Sequence, residues 1–140
     1  MAARGFLAVN LVTPKGVVAH TDTDSVQAPG ELGEFQLLPG HVPLLTALKP
    51  GVLTIGSKGQ TYAVSSGYLR VDPAGAVEIL VEQALPATEI DTAAVKSELT
   101  AAEGEFSRWG DKGQDGDYAN LVARAGWAQA QLAAATRIAH

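Results

Sequence analysis

The tightest constraint on how this chain folds lies between residues 33 and 51. Gly33-Glu34-Phe35-Gln36-Leu37-Leu38-Pro39-Gly40-His41-Val42-Pro43-Leu44-Leu45 runs on to Leu48-Lys49-Pro50-Gly51. Short apolar runs are cut there by Pro39, Gly40, Pro43 and the Pro50-Gly51 pair. Proline fixes its own φ and offers a sheet no donor, while glycine opens backbone angles closed to other residues. No long helix survives that punctuation. The stretch predicts a strand, a rigid corner around His41, a second short strand and a turn.

The residues on either side repeat the pattern. From Gly5 to Thr13 both faces are apolar, with Leu7, Val9 and Leu11 on one and Phe6, Ala8 and Val12 on the other, as in a strand buried on both sides. Thr13-Pro14-Lys15-Gly16 reads as a turn, Val17-Val18-Ala19 as a strand interrupted by the polar run Thr21 to Asp24, and Ser25 to Ala28 as a short strand closed by Pro29-Gly30. Further strands follow at Val52–Ile55, Tyr62–Val64, Tyr68–Val71 and Val77–Glu82, with turns at Gly56–Gly59, Ser66-Gly67 and Asp72–Gly75. In the last strand Val77, Ile79 and Val81 face one way and both glutamates the other. Short strands with a turn about every 8–12 residues predict an antiparallel sandwich or barrel.

At Pro86 the β pattern stops. From Asp91 the apolar period becomes helical: Val95, Leu99, Ala102, Phe106 and Trp109 recur at steps of three and four. Asp91 is placed to cap that helix. Gly110 to Gly116 breaks it. A second helix is expected from about Asp117 to Ile138, with Tyr118, Val122, Ala125, Ala128, Leu132, Ala135 and Ala139 along one side. Two such helices on a short loop make an antiparallel hairpin. Its seam is rich in alanine, which buries little area, so at roughly 25 cal/mol per Å2 it is marginal alone and should lean on the sandwich or a partner. The expected division is a β-sandwich domain over 1–86 and a helical hairpin over 87–140, an α+β fold.

Composition removes several functions. The 140 residues carry no cysteine, so no disulfide framework, thiolate metal site or thiol nucleophile is available. A formal net charge of −5 argues against general nucleic-acid binding, which neutralises phosphates with Lys and Arg. Met1 to Leu7 lacks the apolar core of a signal peptide, and no run approaches the ~20 apolar residues of a membrane-spanning helix. Any membrane contact is expected to go through a partner.

Catalytic patterns are also missing. There is no phosphate loop, no nucleophile elbow and no His-Glu-x-x-His zinc pattern. Asp111 to Gly116 has some calcium-loop character, but a glycine stands at a ligand position and Val122 where the bidentate glutamate falls. His20, His41 and His140 are scattered, and Ser65-Ser66 has no evident base. The expectation is a protein without a catalytic centre, metal or cofactor.

The punctuated stretch, extended to GELGEFQLLPGHVPLLTALKPGVL, resembles the epsilon subunit of F-type ATP synthases, whose usual form runs to Leu-Pro-Gly-His-x-Pro and then a Leu-x-Pro-Gly turn. The likeness continues at Tyr62 to Val71, around Ser65-Ser66-Gly67, and at Val77 to Ala84. It implies a ten-stranded β-sandwich followed by a two-helix hairpin, in a non-catalytic rotor subunit joining the gamma shaft to the c-ring. It also implies a peripheral place on the cytoplasmic face of a bacterial inner membrane. By the same resemblance, Glu34 and His41, with Glu31 beside them, face the polar loops of the c-ring, although a solvated strand-end charge and a structural turn histidine are the ordinary readings. Gln36 departs from the glycine usual there and leaves local turn geometry open.

For the hairpin the resemblance implies a regulatory arm able to extend toward the alpha and beta catalytic subunits, with Asp91, Arg124 and Arg137 as its candidate residues. Ile90-Asp91-Thr92-Ala93-Ala94-Val95 overlays a motif that binds ATP in some members, but the motif's arginine is Ala94 here. Phosphate recognition needs such cationic donors, so an ordinary helix cap is the favoured reading of Asp91. Two rival functions remain at this stage. One is a stand-alone β-sandwich module for carbohydrate or peptide, which the placement of both tryptophans, Trp109 and Trp127, in the helical part disfavours. The other is a nucleotide-sensing inhibitor, which would need an intact cationic pocket.

Overall fold

The computed structural model describes residues 6–40, 43–56, 59–109 and 116–138. The expected corner at His41, most of the acidic loop after Gly110, Ala139 and His140 lie outside them, as do the side chains of Phe106, Trp109 and Tyr118.

Ten strands come first: β1 (Leu7–Thr13), β2 (Gly16–Thr23), β3 (Val26–Gly30), β4 (Gly33–Leu37), β5 (Leu44–Leu48), β6 (Gly51–Ile55), β7 (Gln60–Val64), β8 (Gly67–Val71), β9 (Ala76–Val81) and β10 (Ala84–Pro86). A 3-10 turn at Ala87–Glu89 leads to α1 (Thr92–Trp109) and α2 (Gly116–Ile138). The expected order, a β-sandwich and then a two-helix hairpin, is what the chain adopts.

Hydrogen bonding runs from β10 through β7, β6, β3, β5, β8, β9 and β1 to β2, with β4 on the free edge of β3. The path narrows at β3. Val26 and Gln27 pair with β6, whereas Gly30 pairs with Leu48 of β5. Around that junction two layers face each other over one core. Leu7, Val9, Leu11, Leu69, Val77 and Ile79 come from one layer; Val26, Leu37, Leu53, Ile55 and Val64 come from the other. A strand whose inward side chains alternate with outward ones can close only one face, so a second layer is required. Apart from β1 with β9, which run parallel, the strand pairs are antiparallel.

Three strand expectations need correction. Thr21 to Asp24 does not interrupt the second strand, which continues to Thr23 because it pairs along its length with β1 and buries Thr23. Pro29 lies inside β3, paired with Glu34, instead of closing it. Phe6 and Ala8 do not face a second core: Phe6 is exposed and Ala8 half-buried, because no layer covers that side. Gln36, by contrast, sits in regular pairing with Gln27.

Asp91 behaves as expected. Its carboxylate accepts the Ala94 amide at 3.1 Å, and its carbonyl accepts the Val95 amide, opening α1. On α2 the buried residues are Leu121, Ala125, Ala128, Ala130 and Ala134, not the full expected stripe: Val122 is exposed, and Leu132 and Ala135 are half-buried. The reason is that α2 has two neighbours. Leu121 and Ala125 meet Leu99 and Ala102 of α1, while Ala134 and Trp127 meet Val52, Ala63 and Ala87 on the outer side of the sandwich. The hairpin therefore does lean on the sandwich.

Candidate functional site

Glu31 and Glu34 stand at one end of the sandwich, on the β3–β4 hairpin. Gly30 pairs with Gly33 there, leaving Glu31 and Leu32 as the two-residue tip. A Cβ on Gly30 would lie 2.6 Å from the Gly33 carbonyl oxygen, and Gly33 itself holds φ +140°, so both positions need glycine. Leu32 is fully exposed at the tip, an apolar side chain between two carboxylates. The Glu31 amide donates to the Ala47 carbonyl at 3.0 Å and the Lys49 amide to the Pro29 carbonyl at 3.0 Å, so β5 braces the tip. His41 lies outside the described residues, so its distance from this tip is not part of the geometry.

A second surface adjoins the first. The register lines Ala47, Tyr68, Leu80, Val12 and Val17 across β5, β8, β9, β1 and β2. Three of these side chains are large, apolar and open to solvent: Val17 at 65%, Tyr68 at 58% and Leu80 at 49%. The neighbouring row is Leu45, Arg70, Glu78, Asn10 and His20. There Arg70 pairs with Glu78, and His20 shares a hydrogen bond with Asn10. An apolar band beside internally satisfied polar groups can be covered without stranding a charge. Glu31, Tyr68, Leu80 and Glu82 line a groove of about 590 Å3 that joins the band to the β3–β4 tip.

The hairpin candidates form a third group. Asp91, Ala94, Glu98, Arg124 and Trp127 line a cleft of about 390 Å3 between the helices and the end of the β-sheet. Arg124 is engaged within it: Nε and Nη2 reach Glu98 Oε1 at 2.9 and 2.8 Å, and Nη1 reaches Glu105 Oε2 at 3.0 Å. The hydrogen bond to Glu98 and the charge of Glu105 hold the guanidinium above its ordinary pKa, so it stays a cation. Arg137, in the last turn of α2, comes within 3.9 Å of Glu34. The structure thus joins the expected arm residue to the expected ring-contact residue and places Asp91 with Arg124.

Sequence reading missed the apolar band and the two α1 glutamates. The signals were present. Leu80 shares an outward phase with Glu78 and Glu82, and Glu98 and Glu105 recur two helical turns apart.

The sequence profile of the family described as "ATP synthase, Delta/Epsilon chain, beta-sandwich domain" matches residues 6–87. A protein named ATP synthase epsilon chain from Geobacter metallireducens is 46% identical over 99 residues, covering 69% of this chain and 71% of that one. The chain belongs to the ATP synthase epsilon chain family. A second member, from Geobacter sulfurreducens, is 40% identical over 111 residues, 78% of this chain and 80% of its own. Solved structures share the fold. A chain of the Euglena gracilis mitochondrial ATP synthase OSCP/F1/c-ring assembly matches with a TM-score of 0.75 at 21% identity, covering 96% of this chain and 84% of that one. One from the Tetrahymena thermophila mitochondrial ATP synthase central stalk and c-ring matches at 0.61 and 18% identity, covering 92% and 96%. The family is that of an ATP synthase subunit other than the catalytic one. Among the described residues no helix is long and apolar enough to cross a membrane.

Proposed function

We propose that the chain is a rotor subunit of the central stalk, linking a gamma shaft to a c-ring and passing torque between them without doing chemistry. The observation that carries this reading is the adjacency of two unlike surfaces on one rigid sandwich. The β5–β8–β9–β1–β2 face offers the apolar band of Tyr68, Leu80 and Val17, suited to a permanent partner. The β3–β4 tip offers Glu31, Leu32 and Glu34, a small braced projection suited to polar loops. In this reading the shaft covers the band and the ring meets the tip, His41 included. The location follows from the complex: peripheral, on the cytoplasmic side of a bacterial inner membrane.

The stand-alone binding module accounts for the groove near Tyr68 but gives no reason for family membership or for a bare apolar band. The hairpin is in this reading a weak regulator of the alpha and beta subunits, since Arg124 and Arg137 already face carboxylates of their own chain.

The test is disulfide crosslinking in assembled membranes. Leu32→Cys or Glu34→Cys should join a cysteine in the polar loop of the c-ring, and Tyr68→Cys should join the gamma subunit. Tip cysteines that react only with the catalytic head would overturn the reading.

A further inference from the structure

Two carboxylates rim the groove beside Tyr68, Glu31 on the β3–β4 tip and Glu82 just past β9, and no lysine or arginine lines it. Glu34, Glu78, Glu98 and Glu105 each face an arginine of this chain. Among the described residues Glu31 and Glu82 have no such ion pair, and both are exposed. Backbone bonds fix them on either side of Tyr68. The Glu31 amide is held by Ala47, the register partner of Tyr68 on β5, and the Glu82 amide donates at 3.3 Å to the carbonyl of Ser66, two residues before Tyr68. Tyr68 is open to solvent between them, and Leu80, opposite it on β9, adds an apolar wall. An aromatic face flanked by carboxylates matches a guanidinium, which stacks flat on a ring while its fork reaches acids and its stem covers apolar surface. A lysine ammonium, a compact point charge, does not serve all three at once.

We propose that this groove seats one arginine side chain of the shaft subunit, stacked on Tyr68 between Glu31 and Glu82, and that this anchor fixes where along the apolar band the shaft docks. The proposal rests on the rotor reading for the identity of the partner. The groove is continuous with the band that the shaft covers in that reading. The polar row beside the band is satisfied within the chain, but the groove is not: a partner laid over it without a cation would strand two carboxylates. The partner must therefore bring the charge with it.

Binding kinetics of the full chain on an alpha–beta–gamma subcomplex prepared without it provide the test. Glu82→Gln and Tyr68→Leu should each raise Kd about tenfold. Tyr68→Phe keeps the ring face and should stay within about twofold. Because both groups grip one guanidinium, the Glu82→Gln/Tyr68→Leu double variant should lose about thirtyfold or less, short of the roughly hundredfold of independent sites. Glu31→Gln, at the outer rim, should slow association and flatten its dependence on sodium chloride. On the purified c-ring the substitutions at Glu82 and Tyr68 should change nothing; a loss there instead would overturn the shaft as the source of the arginine. The anchor is overturned if Glu82→Gln and Tyr68→Leu bind like the unaltered chain, if Tyr68→Phe loses as much as Tyr68→Leu, or if the two losses multiply. In those cases a complex still weakened by Leu80→Ala would leave the shaft reading standing. No binding by the unaltered chain would bring down that reading and the anchor together. Should Tyr68→Leu fold poorly, the exposed and nearly isosteric Glu82→Gln decides alone: a tenfold loss (roughly) supports the anchor, and unchanged affinity refutes it.

Discussion

Gly67 lies so close to Leu80 across the β8–β9 pair that a Cβ on it would stand 2.0 Å from the Leu80 carbonyl oxygen. The obstacle is backbone, held by register on both sides, since Gly67 also pairs with Leu48 and Val81. Gly67→Ala should therefore lower unfolding free energy by about 1–3 kcal/mol, the range of an overpacked interior. A denaturant midpoint that stays where it was would show that the pair can spread.

Removing everything after Pro86 should leave a cooperatively folding β-domain. Its core closes between two sheet layers, as Leu53, Leu69 and Ile79 belong to a cluster that, among the described residues, no helical side chain joins. The truncated chain should still be less stable, because Val52 and Ala63 lose Ala134 and Trp127. Circular dichroism with a thermal scan checks it; no sheet signal and no transition would defeat the two-domain division.

ATP should bind no tighter than millimolar. Ala94 brings no guanidinium to the cleft and Arg124 is already paired. A charge-assisted hydrogen bond contributes roughly 1.5–3 kcal/mol, so the missing contact costs about ten- to a hundredfold in affinity. Calorimetry decides, and a micromolar dissociation constant would refute it.

Burial raises the pKa of Tyr62 above its ordinary 10.0, and its hydroxyl donates to Gln60 at 3.3 Å. The folded chain therefore holds this proton more tightly than the unfolded one. Its contribution is complete below pH 10 and is lost as pH rises from there through the raised folded value. Tyr62→Phe should lack that part of the alkaline loss. From pH 8 to about 11 the denaturant midpoint of the tyrosine protein should fall relative to that of the phenylalanine variant; parallel curves would remove Tyr62 as a cause.

Deleting the arm from the assembled enzyme should raise ATP hydrolysis by less than about threefold, roughly 0.65 kcal/mol. α2 offers Arg124 and Arg137 as its described cations, and exposed pairs contribute about 0–1 kcal/mol each. A tenfold rise in the assay would mean a grip that charge does not explain.

Much of the fold was readable because its punctuation is steric. Asp72-Pro73-Ala74-Gly75 turns as expected, with the Asp72 carboxylate accepting the Ala74 and Ala76 amides at 2.9 Å. Asp91 caps where its position before the helical period says it should. The phase of α2 was not readable in the same way. Alanine marks a helix but not a face, and a helix with two neighbours has no single stripe to find. β2 was hidden for a related reason: its inward row ends in Thr21 and Thr23, polar residues that still face the core, and its outward Asp22 is free to be charged at the sheet edge, so the run looked like a break. Glu34 was legible as an exposed charge, but its approach to Arg137 joins residues far apart in sequence, and no local pattern records that.

The parallel contact of β1 with β9 fixes an order of events during synthesis. Val9 can meet Val77 only after the ribosome has released most of the sandwich, so the opening strand must wait with one edge unfilled. Pairings this distant in sequence slow folding, and an unfilled edge invites a wrong neighbour in the meantime. β2 shortens that exposure by covering the other edge of β1 almost at once, through a hairpin complete by Thr23. The hairpin with β2 is the local pairing open to β1 before β9 is made, and the layer is finished only when β9 takes the other edge.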